Sequence, residues 1–248
     1  MPVYLLAPLE SETIMKTSTV TAALLAGVTV LGLAAPAMAA PSTSAPDLAT
    51  TMAKCVAAVD VRVAKLSTLN VTVGGSKHIT ATHRSTEQST FATASSGLTD
   101  LKAKIEADTD AATLKQDCES IYAGYRVFAL RAPQAHLIIA GDAETFAVGR
   151  LQTGVPKLSD AIAKAKAAGQ DTTKAEALFA DLQAKLADAA TQSGGIGDSV
   201  IGYGPADWNA NHALLTPARG KVVAARADLR IAVADVKGIV AELKHPTA

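Results

Sequence analysis

From Thr216 onward, apolar side chains return every third or fourth residue: Val222, Ala225, Leu229, Ala232, Val236, Ile239 and Leu243. That period draws one apolar stripe down an α-helix and fits no strand. Thr216-Pro217 supplies a cap and a first-turn proline at its start. Val223, Val233 and Val240 widen the stripe, while the Arg and Asp residues at 226, 228, 230 and 235 fall mostly off it, as on a solvated face. Such a helix has to be covered by others, so the remaining chain is read for partners.

Composition points the same way. Hydrophobic residues make up 49% of the chain and aromatics only 4%. The apolar content is therefore mostly Ala, Leu and Val, and Ala and Leu favour helix. A sandwich or barrel needs more aromatic and β-branched alternation. Leu48, Met52, Cys55, Val59, Leu66, Leu69 and Val73, widened by Val56 and Val63, predict a first helix from the Asp47 cap to Gly74-Gly75-Ser76. A second runs from about Ile79 to Ala107. Its Ser/Thr-rich first half is expected to fray or lie exposed, because hydroxyls compete for the backbone; Leu98, Leu101 and Ile105 define its second half.

Asp110–Gly141 reads as the central strut, with Leu114, Cys118, Ile121, Tyr125, Phe128 and Ala132 as its seam. Pro133 interrupts that run, and a kinked continuation is predicted, with a full break as the alternative. Ala143–Ala168 reads as helix weakened at Gly154 and Pro156; a GQD turn then leads into Ala175, Leu178, Leu182, Leu186 and Ala189, making an αα-hairpin. Residues 193–216 read as loop, with Gly194, Gly195 and Gly197 as a flexible turn. The fold class predicted is all-α: an elongated antiparallel, coiled-coil-like bundle of five to six helices, its central helix kinked near Pro133. One domain spans 47–248, divided into a three-helix part (47–141), a hairpin (142–192), a loop (193–216) and a C-terminal helix (217–245).

The N-terminus reads as a leader. Lys16 precedes the apolar run Val20–Ala34, and Ala37-Met38-Ala39 fits a signal-peptide cleavage site. Residues 15–39 are thus expected to be a signal peptide, cleaved after Ala39 or Ala40, with an uncleaved anchor as the alternative. Glu10 and Glu12 suit such a leader poorly, so residues 1–14 read as an upstream mis-start and translation as beginning at Met15. Residues 40–46 (APSTSAP) read as a flexible tether. Beyond residue 39 the chain carries 22 bases and 21 acids. This balance argues against a nucleic-acid partner, and no membrane span is expected after cleavage.

Two cysteines in an exported chain predict one disulfide, Cys55–Cys118. Each lies eight residues beyond a capping aspartate, Asp47 and Asp110. If the first and third helices run parallel, both sit about 12 Å up their helices, on the seam. Two buried free thiols are the alternative.

Few of the remaining polar residues carry a catalytic signature. Glu242-Leu243-Lys244-His245 is a single E-x-x-H, where a di-iron bundle needs two. Neither H-E-x-x-H, C-x-x-C nor G-x-S-x-G occurs. His78 and His83 are five apart, off the spacing of a helical metal pair, and His136 reads as a packing residue. Asp108 and Asp110 read as helix caps rather than a carboxylate pair or calcium loop. No catalytic residue, metal or cofactor is expected. A ligand pocket between helices near Pro133 would be lined by Tyr125, Phe128 and Leu137, and a surface site would use Tyr203, Trp208 and Asn209.

DCESIYAGYRVFALRAPQAHLIIAGD, and TPARGKVVAARADLRIAVADVKGIVAELK preceded by ADWNANHALL, resemble a group of secreted, alanine-rich helical proteins of actinobacteria. The likeness spans most of the chain after the leader. It implies an elongated helical fold at the envelope or outside the cell and brings no activity with it; Gly154 and Pro156 depart from it. The function expected is therefore that of an exported, non-enzymatic structural or interaction module with an envelope or protein partner, or with itself through heptad faces. An extracytoplasmic small-ligand carrier is the alternative.

Overall fold

The computed structural model describes residues 47–244. The expectations for the upstream start, the signal peptide, the tether and His245 concern residues outside these. Among the described residues every regular element is helical: α1 (Leu48–Gly75), α2 (Ala81–Ala107), α3 (Ala111–Ala123), a π-helical turn (Val127–Arg131), α4 (Ala132–Gln152), α5 (Val155–Ala167), α6 (Thr173–Ser193), α7 (Ile196–Ile201), α8 (Pro205–Ala210) and α9 (Thr216–Lys244). The all-α class holds, and the elements outnumber the five to six expected because the break after α3 divides a stretch read as continuous and two short helices fall in the stretch read as loop.

α1 and α2 form the first hairpin. Arg84 clamps it, donating to the carbonyl oxygens of Val73 (2.9 Å), Ser76 (2.7 Å) and Gly74, so a cation satisfies the end of α1. The first half of α2 is regular helix, contrary to the frayed segment expected. Thr80 caps it through His83 N–H (3.2 Å), and His83, Glu87 and Phe91 are buried one turn apart. The stripe is hard to see in the sequence because two of its three members are polar.

The chain is irregular just before Pro133 rather than at it. α3 ends at Ala123, Arg126 adopts the left-handed conformation (φ 47°), and the π-helical turn follows. Pro133 sits in the first turn of α4, where no N–H is required of it. The expected kinked continuation is therefore a break ten residues earlier, and Phe128 leaves the seam, 48% exposed. α4 runs unbroken through residues 141–143, where a new helix had been expected to begin. The chain breaks instead at Thr153-Gly154, which gives Pro156 a first-turn place in α5.

Two apolar cores result. The larger takes residues from α1, α2, α3, the π-helical turn, α4 and α7, with Ala218 and Val222 of α9. The smaller joins Ile162 of α5, Ala175, Leu182 and Leu186 of α6, and Ala232 and Ile239 of α9. α4 is buried on several sides, at Gln134, Ala135, Leu137, Ile138, Asp142, Glu144 and Val148, as befits the helix that touches most others. α5 and α6 form the hairpin expected, yet α6 packs most extensively on α9. The stretch 193–216, expected to be loop, contains α7 and α8. On α9, Val223, Val233 and Val240 are exposed rather than widening the stripe, whereas Asp235 is buried and Arg226 pairs with buried Glu144 at 2.7 Å.

Candidate functional site

Where α2, the π-helical turn, α4 and α7 meet, the larger core is polar. His83 from α2 is the pivot. Its Nδ1 lies 2.8 Å from Asp142 Oδ2 of α4, and its Nε2 lies 3.1 Å from Asp198 Oδ1 of α7. Burial alone would lower the imidazole's proton affinity. The hydrogen bonds to the two aspartates outweigh it, and His83 titrates above its usual value. The carboxylates flank opposite ring nitrogens, so they cannot converge with the ring on one ion. Among the described residues no cluster of His, Cys, Asp or Glu is placed to hold a metal.

One turn along α2 is Glu87, 0% exposed, with neither carboxyl oxygen hydrogen-bonded. Burial pushes its pKa up to about 7 against the pull of Arg131 and His83. Arg131 ends the π-helical turn. Its Nη1 donates to Gln134 Oε1 (3.1 Å) and to the Tyr203 carbonyl (2.9 Å), while its Nε is buried without a partner. Gln134, fully buried, donates to the Val200 and Tyr203 carbonyls at the end of α7. A π-helical turn beside a left-handed Arg126 and unpaired buried groups is the kind of irregularity found at functional sites.

The glycine turn expected to be flexible is part of this junction. Gly197 lies inside α7, and a Cβ there would come within 2.4 Å of the His83 ring. Gly197→Ala is expected to displace α7 or the imidazole and cost about 1–3 kcal/mol. Urea unfolding measures that loss, and NMR of the imidazole follows the ring. An unchanged midpoint with an unshifted His83 signal would refute the packing argument.

Beside the junction runs a groove of about 430 Å³, lined by Ser89, Thr90, Thr93, Ala94, Gly97, Gly124, Tyr125, Arg131 and Pro205. Of the three residues expected to line a pocket near Pro133, Tyr125 does so, Phe128 points to the surface, and Leu137 is buried in the core. The residues of the expected surface site have structural partners. Asn209 Oδ1 accepts from Arg126 Nε (2.6 Å) and its Nδ2 donates to the Ala123 carbonyl (3.1 Å), tying α8 to the end of α3. Trp208 packs beside His212, ring centroids 5.5 Å apart, and the Tyr203 carbonyl serves Arg131 and Gln134. His136, expected inside, is exposed. Asp110 caps α3, accepting from the N–H groups of Ala112 and Thr113, both at 2.9 Å.

Cys55 and Cys118 are disulfide-bonded, their Cα atoms 5.6 Å apart. On the same face Arg62 lies over the Tyr122 ring (4.3 Å to the centroid) and near that of Phe128 (5.4 Å). Among the described residues no helix is long and apolar enough to cross a membrane. Comparison with protein families, with curated proteins and with solved structures finds no match.

Proposed function

We propose that the chain is an exported helical protein of the cell envelope that acts as a non-enzymatic interaction module. The observation that supports this reading is the aromatic patch beside the disulfide. Tyr122 and Phe128 are 50% and 48% exposed and flank Arg62. Tyr122 is one turn past Cys118 and Arg62 two turns past Cys55, so the cross-link holds their helices in register. Tyr, Phe and Arg are enriched at interfaces, where the aromatic rings bury large areas and the guanidinium stacks on them. A disulfide suits an oxidising compartment.

Fractionation of an actinobacterial host tests the reading. The wild-type chain is expected in the envelope fraction and the Tyr122→Ser/Phe128→Ser variant in the medium. Equal release of both counts against it, and sedimentation of the same variants separates self-association from docking to an envelope partner. The groove supports a second reading, that of an extracytoplasmic carrier for a small ligand, because its lining combines a cation, Arg131, with the side chains of Ser89, Thr90 and Thr93 and the Tyr125 ring.

A further inference from the structure

We propose that the groove beside the π-helical turn binds a small anionic carbohydrate, its charged group on Arg131 and its hydroxyls along Ser89, Thr90 and Thr93. This deepens the carrier reading and rests on it. The wall is built by helical spacing. Ser89, Thr90 and Thr93 lie within one turn of α2 and present three hydroxyls, each able to donate and accept, to the groove. Gly97, one turn further, leaves a notch filled by Tyr125; a Cβ at Gly97 would stand 2.6 Å from the Tyr125 hydroxyl. The Tyr125 ring and Pro205 supply apolar surface for the non-polar faces of a sugar ring.

Arg131 is the one cation in the groove lining. Gln134 and the Tyr203 carbonyl hold its Nη1 and so fix the plane of the guanidinium. Its Nε is buried without a partner and out of a ligand's reach, so Nη2, which makes no hydrogen bond to the described residues, is the N–H group left for an anion. A carboxylate or phosphate oxygen there would accept a charge-assisted hydrogen bond from Nη2. The carboxyl that acts on this cation, Glu87, is fully buried and makes no hydrogen bond, so it does not occupy the N–H groups of Arg131. Asp100 brings negative charge to the Tyr125 side of the groove, where, after burial, it raises the hydroxyl's pKa. A volume of about 430 Å³ lies within the usual range for small-ligand sites and holds one or two sugar rings.

Amide NMR titration of the full chain tests the proposal, with D-glucuronate and glucose 6-phosphate as probes and glucose and acetate as controls. At least one anionic sugar is expected to shift the amides of residues 89–97 and 124–131 saturably, about tenfold more tightly than either control. The tighter of the two identifies the anion as carboxylate or phosphate. Arg131→Gln removes the charge and should weaken binding about tenfold. Because Arg131 also holds α7, the decisive variant is Thr90→Val/Thr93→Val on the open wall, which should weaken binding about fivefold with the other amides unmoved. Binding by acetate as tight as by the sugars, binding indifferent to the threonine variant, or no groove shift with either probe would overturn the proposal. A thermal-shift screen that finds a different ligand, with no groove shift from anionic sugars, leaves the carrier reading standing and removes this one.

Discussion

Reducing the Cys55–Cys118 bond, or replacing both cysteines with alanine, is expected to lower stability by about 4 kcal/mol. The bond spans 63 residues, and in the chain-entropy treatment closing a loop of that size restricts the unfolded chain by about that amount. α3 should suffer most. It is 13 residues long and buries only Leu114 and Ile121, so its own apolar anchoring is modest. At about 2 kcal/mol per molar urea, the loss moves the unfolding midpoint down by about 2 M. Parallel urea titrations with and without reductant, alongside the double variant, measure the shift, and coincident curves would contradict it. Loosening α3 also frees Tyr122 from Arg62, so the aromatic patch should lose its geometry before the rest of the protein unfolds.

Replacing Glu87 with Met is expected to stabilise the protein by about 3 kcal/mol at pH 8 and to change it little near pH 4.5. The carboxyl's pKa rises from an ordinary 4.5 to about 7 on folding. The folded state therefore holds the proton more tightly than the unfolded one. The favourable contribution is complete below pH 4.5 and is lost as pH rises through 7; every tenfold gain in proton affinity is worth about 1.4 kcal/mol. His83 acts in the same direction in a higher window, because its raised pKa stabilises the fold below 6.5 and the gain is lost as pH climbs through the folded value. Burial also raises Glu144 and Asp235. Asp110, Asp171 and Glu176, each lowered first by a hydrogen bond, lose their contribution only in more acidic solution. Wild-type stability measured from about pH 5 to 8.5 should thus decline, and most of that decline should vanish in Glu87→Met. A wild-type curve rising through this window would refute the assignment.

What the sequence made legible follows from how each feature is encoded. α1 and α9 are written as apolar residues at helical spacing, and their ends fall where the caps and glycines place them. The disulfide could be anticipated because both cysteines occupy seam positions at matching heights. The polar junction escaped because its residues break the pattern by which helices are recognised. His83 and Glu87 occupy core positions of α2, so the stripe they belong to resembles an unpatterned Ser/Thr run. Asp142 follows Ile138 by one turn on α4, yet in sequence it marks the edge of an apparent break. The signal that could have found them is a helical period continued through polar residues: 83, 87, 91, then 98, 101 and 105. The break after α3 is hidden for another reason. Neither Gly124 nor Arg126 outweighs Pro133 as a helix-breaking signal, and the side chain at the left-handed turn, Arg126, pairs with Asn209, 83 residues away.

α9 belongs to both apolar cores, with Ala218 and Val222 in one and Ala232 and Ile239 in the other. A rod of 29 residues shared in this way couples the stability of one core to that of the other. Neither can melt while keeping its share of α9 without stretching the helix across a boundary between ordered and unordered chain. Perturbation at one end, such as protonation at the His83 junction, is therefore felt in the other core as well as in the one where it occurs.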